Sequence, residues 1–407
     1  MSRNSSIDQK PVVAHLNHQF FAATETFIYT YLSHLQRLQP ICLSQSEAIA
    51  NTDVFPFPPA DLYDNEVRGA KRYTARWLYL GIRQRLQRQL QFLQPNGERW
   101  AVKILRKRNA KLIHAHFGPR GLAALPIKKK LGLPLITTFY GFDLKPDLGG
   151  KYPNYTAGRQ ELFKTGDLFL VEGAHMRQLL IDLGCPAEKI KIQRIAIETA
   201  KLPFRARLPK PNQKTRILFI GRFYEKKGLL YALQAVYDLW KIRQDFEFRL
   251  VGDGELGATV RAFIHDHTME SYVNLLGFLN RPACLAEMQT ADIFLHPSVT
   301  AANGDTEGGA PTVILEAQAL GIPVVSTLHA DIPNVTVPGK SALLVAERDI
   351  PALVDALRYL LDNPTYWAEM GQAGREFVEK HHEIDREVKA LETIYLNLIE
   401  SPQRVAA

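Results

Sequence analysis

Short runs of Val, Ile, Leu and Phe alternate along this chain with longer stretches in which apolar residues recur at helical spacing. Such runs, bounded by helix-length segments, are the mark of parallel strands buried on both faces, with helices as the crossovers. The pattern appears twice. Strands are predicted at residues 12–16, 41–44, 112–116, 135–139 and 168–171, and again at 216–221, 246–252, 273–277, 293–296, 323–326 and 342–345. Helical periodicity then takes over at 351–361, 365–380 and 383–399. Between the two series, residues 202–215 hold three prolines and no sustained period, which predicts an interdomain linker. The expected fold is α/β, with two Rossmann-like doubly wound domains facing across a cleft. The first spans 1–205 and the second 210–382. Ligands of such sheets sit outside the carboxyl ends of the strands.

Composition narrows the class. At 407 residues, 46% hydrophobic and 23% charged, the chain can bury two cores, which excludes a disordered segment or a small binding module. Cys42, Cys185 and Cys284 are far apart and odd in number, so neither a disulfide framework nor a cysteine zinc site is predicted. No secretory leader is expected from the first ten residues, and no apolar run reaches the roughly 18 residues of a membrane span. The net charge of +8 invites an acidic partner. Its distribution is uneven: residues 68–111 contain thirteen Lys and Arg and one acid, Glu98.

Three segments carry candidate chemistry. Gly221 and Arg222 end a strand, and Lys227 and Gly228 open a helix five residues later, so two cations converge where helix amides already favour an anion. A diphosphate clamp and a loop with two solvated charges are both open readings. Gly252-Asp253-Gly254-Glu255-Leu256-Gly257 satisfies the dinucleotide fingerprint, but it follows the second strand of its domain and no acid ends the next strand. A tight turn lining a ligand with its backbone, or a purely structural turn, fits better. From His296 onward the chain reads HPSVTAANGDTEGGAPTVILE. Glycines at a helix start expose amides to a ligand, and Thr312 and Glu316 share one helix face. Glu316 either accepts the vicinal hydroxyls of a ribose or complements the helix dipole. His114 and His116 alternate on one strand face, as packing histidines or as two of the ligands a metal would need.

Taken together, Gly221–Gly228, the V-G-D-G turn, the Leu275 to Gly277 turn, His296-Pro297-Ser298 and E-G-G-A-P-T-V-I-L-E (Glu307 to Glu316) resemble the retaining glycosyltransferases of family 4, which have the GT-B fold. The resemblance implies that helix 383–399 packs back on the first domain, and that Arg222 and Lys227 hold a donor diphosphate beside Gly221, Gly252 and Gly254. It implies further that Glu316 holds the ribose, and that Glu307, with Gly308, Gly309, Ala310, Pro311 and Thr312, meets the donor sugar. The first half resembles the branch that builds bacterial exopolysaccharide and colanic acid, through Thr24-Glu25-Thr26-Phe27, His114-Ala115-His116-Phe117-Gly118 and Thr138-Phe139-Tyr140-Gly141-Phe142-Asp143. Thr24, Glu25, His116, Tyr140 and Asp143 are thereby the acceptor-side candidates. Three departures stand out. Glu307 and Glu316 enclose eight residues where many members have seven, which opens a shared role for Asp305; Tyr140 replaces a common histidine and Ala196 a common glycine.

The expected reaction is a metal-independent, cofactor-free transfer from a nucleotide-diphosphate sugar to a glycan or lipid-linked acceptor, with anomeric retention. Glu307, Arg222 and Lys227 are the catalytic candidates. Two other functions share the clamp: a nucleotide-sugar epimerase, and a non-catalytic sugar-nucleotide-binding partner of another transferase. In residues 71–93, Trp77, Leu78, Leu80, Ile82, Leu86, Leu90 and Leu93 interleave with arginines. An anionic membrane surface suits that pattern, a packed helix with a basic outer face is the plainer reading, and no nucleic-acid motif accompanies the charge. The expected location is the cytoplasm, with peripheral attachment at the inner face of the membrane.

Overall fold

The structure, a computed structural model, describes residues 10–21, 26–44, 49, 55–64, 95–145 and 152–400. Thr24, Glu25 and the 71–93 segment lie outside the described residues. Two units emerge from the pattern of contacts. In the first, β1 (Val12–Asn17), β2 (Gln39–Ser44), β3 (Leu62–Asp64), β4 (Ala110–His116), β5 (Leu135–Thr138), β6 (Leu168–Val171) and β7 (Ile190–Ile192) form one parallel sheet in the order β3-β2-β1-β4-β5-β6-β7. Every residue of β1 is buried, as a strand covered on both faces requires. The strand order reverses between β1 and β4, where His15 stands opposite His114. Helix Ile384–Glu400 belongs to this unit from Asp385 onward, and its Leu391, Tyr395 and Leu398 share a core with Val13, Leu112, Ile136, Leu168 and Leu170.

In the second unit, β8 (Thr215–Ile220), β9 (Phe246–Val251), β10 (Val273–Gly277), β11 (Ile293–His296), β12 (Val324–Thr327) and β13 (Ala342–Val345) run parallel in the order β10-β9-β8-β11-β12-β13. Its core gathers Phe219, Leu233, Val236, Phe246, Phe248 and Leu250, all fully buried. Each such side chain contributes on the order of 1.5–3 kcal/mol. Here the order reverses between β8 and β11, so the loops after Ile220 and His296 meet at the point where doubly wound sheets bind ligands.

The domain boundaries differ from those expected. The second unit begins at Ile197 and also takes residues 172–178, so the 202–215 segment belongs to it. The buried Arg207 guanidinium donates to the carbonyls of Gln289 (2.7 Å), Met288 (3.3 Å) and Leu320 (3.3 Å), and Lys210 pairs with Asp292 at 2.8 Å. A stretch that looks like a linker is therefore a strap, because its arginine satisfies carbonyls left over at two helix ends. Ile197 pairs with Glu383 within the same unit, so the chain enters and leaves it at adjacent points.

Candidate active site

The second unit builds a site from the carboxyl ends of β8, β11 and β12. After β8 a short 3-10 turn, Glu225–Lys227, runs into helix Leu229–Trp240 through Gly228, whose φ is +69°. A Cβ at Gly228 would lie 1.7 Å from the Pro297 carbonyl oxygen, so only glycine lets this turn seat against the loop after β11. That seating delivers Lys227 to Glu307. The Lys227 Nζ lies 2.7 Å from Glu307 Oε2, and the Ser298 hydroxyl donates to Glu307 Oε1 at 2.8 Å. Burial alone would raise the Glu307 carboxyl, but the Lys227 ammonium holds it well below the usual carboxylate range. His296, wholly buried between the rings of Phe219 and Phe294, stands 3.7 Å from Glu307 Oε1, beyond hydrogen bonding. Its burial lowers the imidazole pKa, which keeps it neutral at pH 7.

The neighbouring acid has another partner. Asp305 pairs with Lys226 at 3.3 Å, and the same ammonium donates to the Thr306 carbonyl at 2.9 Å. Lys226 thus pins the loop just before Glu307 and occupies the Asp305 carboxylate. Gly308 has φ +76°, and a Cβ at Gly309 would lie 2.1 Å from Glu172 Oε2, so the glycine pair admits a carboxylate against the loop. Glu172 belongs to the 172–178 segment, which Asp331 ties to this unit by accepting the His175 and Met176 amides at 2.9 and 3.3 Å. Ala310 and Pro311 are buried, and Thr312 opens helix Thr312–Ala319.

Glu316, one turn along that helix and 5% exposed, carries an ionic partner that the sequence did not suggest: Arg281 Nη1 at 2.7 Å. Burial raises the Glu316 carboxyl and Arg281 partly offsets it. Arg222 is exposed and its guanidinium lies 4.8 Å from the Tyr224 ring centroid, a cation–π arrangement apart from Glu307. Gly252 and Gly254 each have a packing reason: a Cβ at Gly252 would fall 1.9 Å from the Gly221 oxygen, and one at Gly254 2.8 Å from Phe223 backbone. His329 also went unnoticed in the sequence. It is 2% exposed, accepts the Glu307 amide N–H on Nε2 at 3.1 Å, and meets Glu347 through Nδ1 at 2.6 Å. Only its place just past β12 pointed to it, and a histidine two residues after a strand is a weak signal.

In the first unit His116 Nδ1 bonds the Tyr140 hydroxyl at 2.7 Å, and its Nε2 lies 3.1 Å from His15 Nδ1. His114 uses both nitrogens, toward the hydroxyls of Tyr395 and Thr138, each at 2.6 Å. His15, His114 and His116 each offer a nitrogen within 4.8 Å of the others. The His114 and His116 rings stack at 4.5 Å and 27°, and the three imidazoles form a ladder in which each already has a hydrogen-bonding partner. Burial keeps the ladder neutral, with His116 lowered to about 3. Tyr140 is half-buried between Phe27 and Phe117. Asp143, expected on the acceptor side, is fully buried and accepts the Gly118 and Tyr140 amides at 2.8 and 3.1 Å, so its carboxylate fixes the loop.

Two doubly wound parallel sheets in one chain are the architecture of the GT-B fold. Residues 201–377 match the family model "Glycosyl transferases group 1", and residues 50–193 match "Glycosyl transferase 4-like domain". The chain is thus similar to glycosyltransferases in two separate stretches. It is 37% identical over 246 residues to the putative colanic acid biosynthesis glycosyltransferase WcaL of Escherichia coli K12, covering 60% of this chain and 59% of the relative. With the amylovoran biosynthesis glycosyltransferase AmsK of Erwinia amylovora it shares 36% identity over 255 residues, 61% of this chain and 60% of the other. The chain thus spans about three-fifths of the length of these curated relatives. Among solved structures, Anabaena HepE in complex with UDP superposes with a TM-score of 0.73 at 15% identity, covering 96% of this chain and all of the other. Sucrose-phosphate synthase of Thermosynechococcus elongatus follows at 0.72 and 14%, with the same coverage.

Proposed function

We propose that the protein transfers a sugar from a nucleoside-diphosphate sugar to a glycan or lipid-linked oligosaccharide in the assembly of a cell-surface polysaccharide. The observation that carries this is the buried Lys227–Glu307 pair at the strand-order reversal, 2.7 Å apart and supported by Ser298. HepE is known in complexes with UDP and with UDP-glucose, and the two relatives named above are glycosyltransferases of colanic acid and amylovoran biosynthesis, the first putatively so. In the proposed reaction the bond from the anomeric carbon to the diphosphate oxygen breaks, and a bond from that carbon to an acceptor oxygen forms on the same face. The acceptor proton passes to the departing phosphate. Lys227 and Arg222 offset the charge growing on the diphosphate, Glu316 receives the ribose hydroxyls, and Glu307 orients the sugar. Retention and metal independence are part of the proposal.

The acceptor side has its own support. Arg99, Lys103, Arg106 and Lys130 line a cleft of about 430 Å³ floored by Val102, a cationic surface suited to an anionic membrane or lipid phosphate. Among the described residues no helix is long and apolar enough to cross a membrane. The test is an assay of purified protein with a panel of nucleotide sugars and lipid extract, with EDTA in parallel and the product anomer read by NMR. Transfer that survives EDTA and retains configuration supports the proposal. Free epimerised sugar nucleotide, or binding without turnover, refutes it.

A further inference from the structure

We propose that His329 is a positioning residue for the transfer reaction, setting the place of Glu307 through its backbone; the inference rests on the catalytic reading of Glu307 above. An amide can only donate, so the 3.1 Å contact requires a lone pair on His329 Nε2. The proton is then on Nδ1 and points at Glu347 Oε1, 2.6 Å away. Glu347 is the second half of the device. Its Oε2 accepts the Thr300 amide at 2.7 Å and its Oε1 the Thr300 hydroxyl at 3.3 Å. Burial pushes the Glu347 carboxyl up, but the Thr300 amide and His329 bring it below the usual range, so it accepts as a carboxylate.

One carboxylate–imidazole pair therefore grips both ends of the loop that runs from Thr300 to Glu307. The Glu307 side chain is fixed independently by Lys227 and Ser298. Backbone and side chain of the same residue are held by different elements, the backbone from the loop after β12 and from Glu347 beyond β13. His329 touches no reacting atom in this scheme. Its effect is geometric, and a shift of about 1 Å in a catalytic group lowers rate on the order of 10²-fold.

The test uses the full chain with UDP-glucose or GDP-mannose, whichever turns over, and compares His329→Ala, His329→Gln, Glu347→Gln and Glu307→Gln. His329→Ala is expected to lower kcat about 10²-fold with donor KM within roughly threefold. His329→Gln, whose carbonyl accepts the amide while its NH2 donates to Glu347, is expected to regain about tenfold. Glu347→Gln should fall about tenfold below wild type. A folded His329→Ala protein with kcat within twofold of wild type overturns the proposal. If His329→Ala does not fold by circular dichroism, wild-type kcat in both His329→Gln and Glu347→Gln overturns it instead. Should Glu307→Gln keep wild-type kcat, the catalytic reading of Glu307 falls, and with it this proposal. Loss in Glu307→Gln without loss in His329→Ala sinks the positioning role alone.

Discussion

Lys227 and Glu307, eighty residues apart in sequence, meet at 2.7 Å with side chains 15% and 5% exposed. Two charges this sheltered depend on each other, since removing one leaves the other without compensation. Lys227→Ala should therefore destabilise the protein by about 3 kcal/mol and lower transfer at least 10²-fold, about 2.7 kcal/mol in barrier. Urea melts should show the double variant Lys227→Ala/Glu307→Gln regaining most of the stability and none of the rate. Arg222, exposed on Tyr224, offers the contrast: Arg222→Ala should change stability by less than about 0.5 kcal/mol and still cost at least 10² in rate. Full activity in both lysine and arginine variants would remove the diphosphate clamp.

Two buried acids give stability opposite slopes in pH. The folded value of Glu307 is depressed, so its contribution is present above the unfolded value near 4.3 and is lost as pH falls through the folded one. Asp143 is raised to about 6 by burial. Its contribution is complete below the unfolded value near 3.9 and is lost as pH rises through 6, by roughly 3 kcal/mol. Asp143→Asn should flatten the fall in unfolding free energy between pH 4 and 7, measured by denaturant melts; an unchanged slope would assign that fall elsewhere.

Arg281 lowers the carboxyl pKa of Glu316 against the effect of burial. Removing that cation in Arg281→Ala should move the acid limb of the kcat/KM profile to higher pH, because the proposed ribose acceptor then protonates earlier. Glu316→Ala should raise donor KM at least tenfold. A limb that stays in place in Arg281→Ala would mean that Glu316 is not the group titrating there.

Gly228 and Gly304 both have positive φ, 69° and 74°, but their surroundings differ. Gly304 faces open space, so Gly304→Ala carries only the backbone penalty of about 1–2 kcal/mol. Gly228→Ala must also move the Pro297 carbonyl, 1.7 Å from the new Cβ, and should cost about 3 kcal/mol or more and displace Lys227. Equal thermal shifts in the two variants would contradict the close approach.

Strand and helix alternation was legible because it is local: a strand buried on both faces, such as β8 or β11, must be an unbroken apolar run whatever it packs against. The three-residue strands β3 and β7 were missed, since neither is long enough to show a period. The order of Gly221–Gly228, His296-Pro297-Ser298 and Glu307–Glu316 was likewise readable, because each motif is a strand end or helix start whose backbone needs are written in adjacent residues. The proline-rich 202–215 segment misled for the converse reason: it looked free of structure until Arg207 was found buried on three carbonyls from distant helices.

By itself, then, the sequence determined the two doubly wound sheets, the strand ends at which a ligand site would form, and the candidates Lys227, Glu307 and Glu316. Tertiary structure decided which charges meet. Arg281 on Glu316, Lys226 on Asp305, His329 on the Glu307 amide and Tyr395 on His114 join residues that lie from about 20 to nearly 300 positions apart. No local pattern marks such partners, because a buried polar group is satisfied by whatever donor or acceptor the fold brings within about 3 Å, and that is a property of packing rather than of spacing along the chain.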